Sequence, residues 1–218
     1  LFEFMSREAL DVVISHNPLR DPFSSPYPAY VLIDIEGEDG GIRPAIEAWL
    51  ADLAERGVVA DAVLAQNSAQ AADLLALREL ISSTLSRHYV IHKNDIAVPV
   101  PAVAPFLQAI DARAPKLYPG ARCVIFGHLA DGNIHFNVMK PPAASPSEFT
   151  AVAKRADDEL FDLVRSFHGT VSAEHGVGLL KKDFLHYTRA AAEIELMRSI
   201  KRAFDPKGIL NPGKIFNL

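Results

Sequence analysis

Cysteine is nearly missing from these 218 residues: Cys123 stands alone. One thiol cannot close an internal disulfide, which excludes the small secreted scaffolds held together by cystines. Its setting, Cys123-Val124-Ile125-Phe126, is short, apolar and β-prone, and predicts a buried, inert side chain rather than a nucleophile. The chain also lacks any apolar run near the ~18–20 residues of a membrane-spanning helix, and no secretory leader opens it. Excess positive charge is absent too. A formal net charge of −5 excludes general affinity for nucleic acid, although a few locally gathered cations could hold a small anion. Neither a G-x-G-x-x-G pattern nor a P-loop occurs, so no segment cradles a nucleotide phosphate by itself. Short-period repeats and low-complexity stretches are lacking as well.

What remains is ordinary globular composition, 49% hydrophobic and 22% charged, enough for a core and too apolar for disorder. The chain opens on Leu1 rather than Met, and Phe2-Glu3-Phe4-Met5 reads like the inside of an element. Both features suggest a piece excised from a longer polypeptide.

Periodicity then lays out the elements. Tyr30–Ile35 reads as a strand between prolines and the turn Glu36-Gly37-Glu38-Asp39-Gly40-Gly41. A helix with Pro44 near its first turn carries Ile46, Trp49, Leu50 and Leu53 on one face and ends at Gly57; Val58–Ala65 reads as a second strand. Leu74, Leu77, Ile81 and Leu85 recur at helical spacing between about Ser68 and Arg87. Tyr89–Val100 is extended, Ala102–Arg113 helical, and Arg122–Leu129 and Ile134–Met139 are strands around the turn Ala130-Asp131-Gly132-Asn133. Ser145-Pro146-Ser147-Glu148 is a capping box for a helix carrying Phe149, Val152, Ala156, Leu160, Leu163 and Phe167. After a glycine-rich stretch, Gly169–Gly178, a last helix from about Ala190 to Phe204 stops at Asp205-Pro206. This order predicts an α+β fold: an antiparallel sheet with helices on one face, ferredoxin-like in a single or duplicated unit, plus a C-terminal helical segment, all as one domain over 1–218.

Three groups of residues could carry chemistry. His128 and His135 flank the Asp131-Gly132-Asn133 turn, on adjoining strands if the hairpin forms. The two-residue side-chain period puts His135 and Asn137 on one face and Ile134, Phe136 and Val138 on the other. Residue type and spacing alone favour two exposed or hydrogen-bonded strand histidines, and the spacing matches no H-E-x-x-H or cysteine-based zinc pattern. In Ser172-Ala173-Glu174-His175-Gly176-Val177-Gly178, Glu174 could complete a two-histidine, one-carboxylate metal site with open positions, leaving His175 to act as a base. If this segment is extended, Glu174 and His175 point opposite ways; the competing reading is a glycine-rich turn with incidental charges. Arg78 and Ser82 lie one helical turn apart, with Lys93 in the strand beyond. Cations gathered there would hold a carboxylate, whereas a solvated helix face plus a surface lysine is the reading that spacing alone favours. Asp205-Pro206-Lys207-Gly208-Ile209-Leu210-Asn211-Pro212-Gly213-Lys214 is, by spacing, a loop. His16, His88, His92, His168 and His186 have no partner at suggestive spacing.

Together, Gly127-His128-Leu129-Ala130-Asp131-Gly132-Asn133-Ile134-His135, the Ser172–Gly178 segment and the Asp205–Lys214 tail resemble the C-terminal domain of FAD-linked oxidases of the vanillyl-alcohol oxidase type. The resemblance runs to the branch of D-2-hydroxyglutarate and D-lactate dehydrogenases and the glycolate oxidase flavin subunit. It spans essentially the whole chain. It implies His128, His135 and Glu174 as ligands of a divalent ion, usually zinc, and His175 as catalytic base. It further implies Arg78, Ser82, Lys93 and Asn137 as substrate contacts, and Asn211 as a residue close to the flavin. Ser82 stands where threonine also occurs, and Ala130 where glycine often precedes the turn.

By the same resemblance, the FAD-binding domain precedes this one and nothing here corresponds to it, so the flavin belongs to the parent protein and the fragment alone should be inactive. The implied reaction is oxidation of a D-2-hydroxy acid to the 2-oxo acid with hydride transfer to FAD. The implied partners are the hydroxy acid, the chain's own FAD domain and an electron acceptor, with a homodimer allowed and no nucleic acid or transmembrane segment. The implied location is intracellular, cytoplasmic in a bacterium and mitochondrial in a eukaryote. From the residues alone, two other classes stay open: a metal-dependent hydrolase using the same histidines and glutamate to activate water, and a non-enzymatic carboxylate- or metal-binding module.

Overall fold

A computed structural model describes residues 1–37 and 42–217. The chain divides into two compact units, Leu1–Arg87 and His88–Leu218.

In the first unit, β1 (Phe2–Ser6) pairs antiparallel with β2 (Ala29–Ile33), Phe4 opposite Val31. The segment that read as the inside of an element is thus a strand. Between the two runs α1 (Arg7–His16), which the periodicity did not suggest. Ser6 caps it by accepting from the Ala9 N–H, and Ala9, Leu10, Val12 and Val13 are its buried side. Helices α2 (Ile42–Glu55) and α3 (Ser68–His88) follow close to their expected limits. The turn expected over 36–41 falls largely outside the described residues.

The strand expected at Val58–Ala65 does not form. Val58 and Val63 are 62% and 44% exposed, and the N–H groups of Val58 and Val59 both reach back to the Leu53 carbonyl at the end of α2. β-prone residues without a strand edge to pair with remain an irregular connection.

The second unit carries the site. Its strands β3 (Ile91–Ala97), β4 (Arg122–His128) and β5 (Asn133–Met139) are antiparallel, with β5 between the other two. Helix α4 (Val103–Leu117) joins β3 to β4, and α5 (Pro146–Ser166) follows β5. The Ser145 capping box that opens α5 forms as its spacing predicts. Strand–helix–strand–strand–helix is the ferredoxin-like order up to its last strand. In that fold the last strand lies beside the first, and here the chain after α5 does run along β3. Thr170 bridges Ala97, and the Ala173 N–H donates to the Asp95 carbonyl. It then leaves extended geometry, and that departure builds the site.

One sheet face is packed with α4 and α5. Ile96, Ile134, Phe136 and Val138 are fully buried there, with Phe106, Ile110, Leu160 and Phe161 from the helices, and the Tyr118 ring lies 5.8 Å from Phe136. His92 belongs to this side, its Nε2 2.7 Å from buried Asp157 of α5. Cys123 is half-buried rather than buried. The C-terminal helical segment is present as α6 (Ala191–Phe204), none of whose residues is buried.

Candidate metal and substrate site

Strand parity fixes which side chains meet. On β5, His135 and Asn137 alternate with the core residues Ile134, Phe136 and Val138, so they occupy the other face. The register sets Lys93 opposite Asn137 and Asp95 opposite His135 on β3, and Phe126 opposite His135 on β4. Lys93, Asp95, His135, Asn137 and His128 therefore share one surface. Lys93 is exposed, while Asp95 and Asn137 are 3% and 4% exposed.

The hairpin brings the two histidines together. After β4 the chain makes a short 3-10 turn, Leu129–Asp131, and reverses at Gly132, whose φ of +67° lies in the left-handed region. The His128 and His135 rings stand 5.5 Å apart, centre to centre and nearly perpendicular. Glu174 joins them from the glycine-rich segment, its Oε1 3.3 Å from His128 Nε2. Ligand atoms of His128, His135 and Glu174 all lie within 4.8 Å of one another.

That set suits a divalent cation. Zinc bonds of ~2.0–2.1 Å in tetrahedral geometry place neighbouring ligand atoms about 3.4 Å apart, the spacing seen between His128 and Glu174. Three protein ligands also leave a position for substrate, as a catalytic ion requires. His128 and Glu174 keep 31% and 47% of their side-chain surface exposed, so the site is reachable.

The Glu174–His175 segment is not extended. The N–H groups of both residues donate to one oxygen, Asp95 Oδ2, each at 2.8 Å. Successive N–H groups of a strand point opposite ways, so a shared acceptor requires a bend. The two side chains consequently work in one place. Glu174 faces His128, while the His175 ring stacks on His135 at 6.0 Å and is 61% exposed. Downstream of them the chain is tied twice more: Lys181 donates to Asn94 at 2.9 Å, and the Ile215 N–H to the Gly178 carbonyl at 2.8 Å. Burial pushes the Lys181 ammonium down to about 8, against the pull of Asp157 and Asp95.

The remaining anticipated residues are on other elements. Arg78 and Ser82 are on α3 of the first unit, Arg78 buried with a 2.8 Å ion pair to Glu3, Ser82 exposed. Asn211 is in the exposed tail at φ +46°. That tail is knotted by Asp205, which accepts from the N–H groups of Ile209 and Leu210 and is held below the usual carboxylate range by Lys201.

Two residues of the site escaped the spacing argument. Asp95 is one. Asn133 is the other: it begins β5, 2% exposed, and its amide has no hydrogen-bond partner among the described residues.

Residues 1–215 match the family described as FAD linked oxidases, C-terminal domain. The chain belongs to that family. The domain is 42% identical over 215 residues to a D-2-hydroxyglutarate dehydrogenase of Stutzerimonas stutzeri, covering 99% of this chain and 46% of that protein. It is 35% identical to the mitochondrial D-2-hydroxyglutarate dehydrogenase of Bos taurus, covering 98% of this chain and 38% of that one. A putative mitochondrial D-lactate dehydrogenase of Schizosaccharomyces pombe is 31% identical over 98% of this chain and 41% of its own length. The domain thus spans less than half of each of these relatives. A 4-ethylphenol oxidase from Gulosibacter chungangensis shares the fold, with TM-score 0.55 at 13% identity over 99% of this chain and 47% of that one.

Proposed function

We propose that this FAD-linked oxidase C-terminal domain is the substrate- and metal-binding half of a flavin-dependent dehydrogenase that oxidises a D-2-hydroxy acid to the 2-oxo acid. D-2-hydroxyglutarate is the first candidate substrate. The observation that carries the reading is the gathering of His128, His135 and Glu174 around one point, with His175, Lys93 and Asn137 beside it.

A divalent ion, zinc by ligand type, would supply Lewis acidity to the substrate hydroxyl, and FAD would supply the acceptor for the hydride leaving Cα. His128, His135 and Glu174 would hold the ion. His175 takes the hydroxyl proton; its ring is exposed and stacks on the proposed ligand His135, which supports that role. Lys93 and Asn137, directly opposite one another on β3 and β5, bind substrate oxygen and fix its orientation. Asn137 already donates to the His135 carbonyl at 3.3 Å, which restrains its amide. Arg78 and Ser82 as carboxylate contacts, and Asn211 near the flavin, rest on the family's pattern alone. In the complete flavoprotein an electron acceptor would be needed to take up the two electrons that the flavin receives.

The test uses the complete flavoprotein. Anaerobic D-2-hydroxyglutarate should bleach the flavin faster than D-lactate or glycolate, since a second carboxylate engages more of the cationic groups. His175→Ala should lower turnover about 10²–10⁴-fold while metal content persists. Unchanged turnover in His175→Ala would rule out that histidine as the base, and no bleaching by any hydroxy acid would rule out the reaction.

A further inference from the structure

We propose that Asp95 is the positioning residue of this centre, pinning the Glu174–His175 backbone with one carboxylate oxygen and holding the proton on Nδ1 of His135 with the other. The inference rests on the metal reading above and assigns a role to a residue outside the ligand set.

Asp95 lies at the middle of the site and is 3% exposed. A carboxylate that deep needs partners, because desolvation otherwise costs several kcal/mol. Oδ2 has two: the N–H groups of Glu174 and His175, each at 2.8 Å. The backbone adds a third link, Ala173 N–H to the Asp95 carbonyl. One residue of β3 therefore decides where the ligand Glu174 and the base His175 stand.

Oδ1 is different. It is buried without a hydrogen bond, and the ring atom facing it is Nδ1 of His135, 3.8 Å away. Asp95 and His135 are direct partners across β3 and β5. Phe126 lies against the His135 ring at 4.9 Å and limits how it can turn. Closing the gap to a charge-assisted hydrogen bond of ~2.7–2.9 Å takes a ring adjustment of about 1 Å. A proton held on Nδ1 leaves Nε2 with its lone pair, the form a metal binds. Ligating histidines almost always donate their other ring N–H to a carboxylate, a backbone carbonyl or water, and loss of such a partner lowers metal affinity about 10–100-fold.

Asp95, His135 and His175 also have ligand atoms within 4.8 Å of one another. Direct ligation by Asp95 is disfavoured because Oδ2 already takes two N–H groups, and because a cation between Asp95 and His135 would claim the Nδ1 that faces the acid.

Asp95→Asn separates the possibilities at nearly constant shape. Its carbonyl can keep both loop N–H groups, which turns the NH₂ toward His135. Two donors then face each other, and His135 must shift its proton to Nε2, closing the ligand lone pair. In the full chain, long-range ¹⁵N correlation of the histidines without metal should show His135 protonated on Nδ1 in the wild type and on Nε2 in Asp95→Asn. Zinc titration against a chromophoric chelator should give 10–100-fold weaker binding for Asp95→Asn. Asp95→Ala, losing the loop anchor too, should be weaker still. An unchanged tautomer in Asp95→Asn, or zinc affinity equal to wild type, overturns the proposal. The tautomer is read without metal, so it decides on Asp95 even if the wild type takes up no zinc, an outcome that would overturn only the metal reading.

Discussion

Arg78 shows how a single residue can be pulled between two roles. Its place in the family's pattern assigns it to a substrate carboxylate, while its guanidinium here lies 2.8 Å from Glu3, itself 4% exposed. Breaking a buried pair from one side is costly, because the surviving charge keeps its desolvation and loses its partner. Arg78→Ala is therefore expected to destabilise the protein by about 3–5 kcal/mol, read as a lowered urea midpoint, whatever it does to catalysis. A variant that loses activity at an unchanged midpoint would assign Arg78 to substrate alone. Lys181 gives a second expectation, in pH. Burial lowers its folded value to about 8 from the ordinary 10.5. Between those values the unfolded chain binds more protons than the folded one, so the Lys181 contribution to stability rises with pH. Melting temperatures should show the wild type gaining on Lys181→Met from about pH 7.5 to about pH 10; parallel curves would remove burial as the cause.

At the scale of elements, the turn that joins the histidine strands is the sensitive point. Gly132 has φ +67°, and a Cβ there would stand 2.0 Å from the Val98 carbonyl oxygen. Gly176, in the Glu174–His175 loop, has φ +74° and open space around it. Both alanine substitutions meet the left-handed penalty of ~1–2 kcal/mol. Only Gly132→Ala must also push two backbones apart, so it should cost clearly more in denaturant midpoint and weaken zinc uptake more than Gly176→Ala. Equal losses would show that the Val98 contact gives way freely. The hairpin, its two faces and the α5 cap were legible in the sequence because each depends on residues within a few positions of one another. Helix α1 was not, since the β-branched run Val12, Val13 and Ile14 reads as strand and masks the helical spacing of Ala9, Val12 and Val13 behind the Ser6 cap. The Val58–Ala65 segment misled for the converse reason: strand-like residues need a partner edge, and none is written in the segment itself. Asp95 stayed hidden because its partners are backbone N–H groups 79 and 80 residues away, and backbone groups leave no mark in the sequence.

At the scale of the whole molecule, the proposed ligands tie together segments that no local interaction connects. His128 and His135 sit on a hairpin, whereas Glu174 arrives from beyond α5 on a loop that replaces a strand along β3. An ion bound by all three would cross-link the β4–β5 hairpin to the chain following α5, and it would bind the folded state only. Linkage then makes metal a stabiliser: at free zinc about 100 times the dissociation constant the gain is about 2.7 kcal/mol. For a chain of this size that corresponds to a rise in melting temperature of roughly 5–10 °C. Chelation should reverse the rise. His135→Ala should abolish it, having removed the residue common to both donor groups, the one with Glu174 and the one with Asp95. Lys93→Met alters the substrate side of the same sheet face without touching a proposed ligand, so its zinc-dependent rise should match the wild type while D-2-hydroxyglutarate binding falls. A zinc response that survives His135→Ala, or vanishes in Lys93→Met, would place the ion somewhere other than between the hairpin and the Glu174 loop.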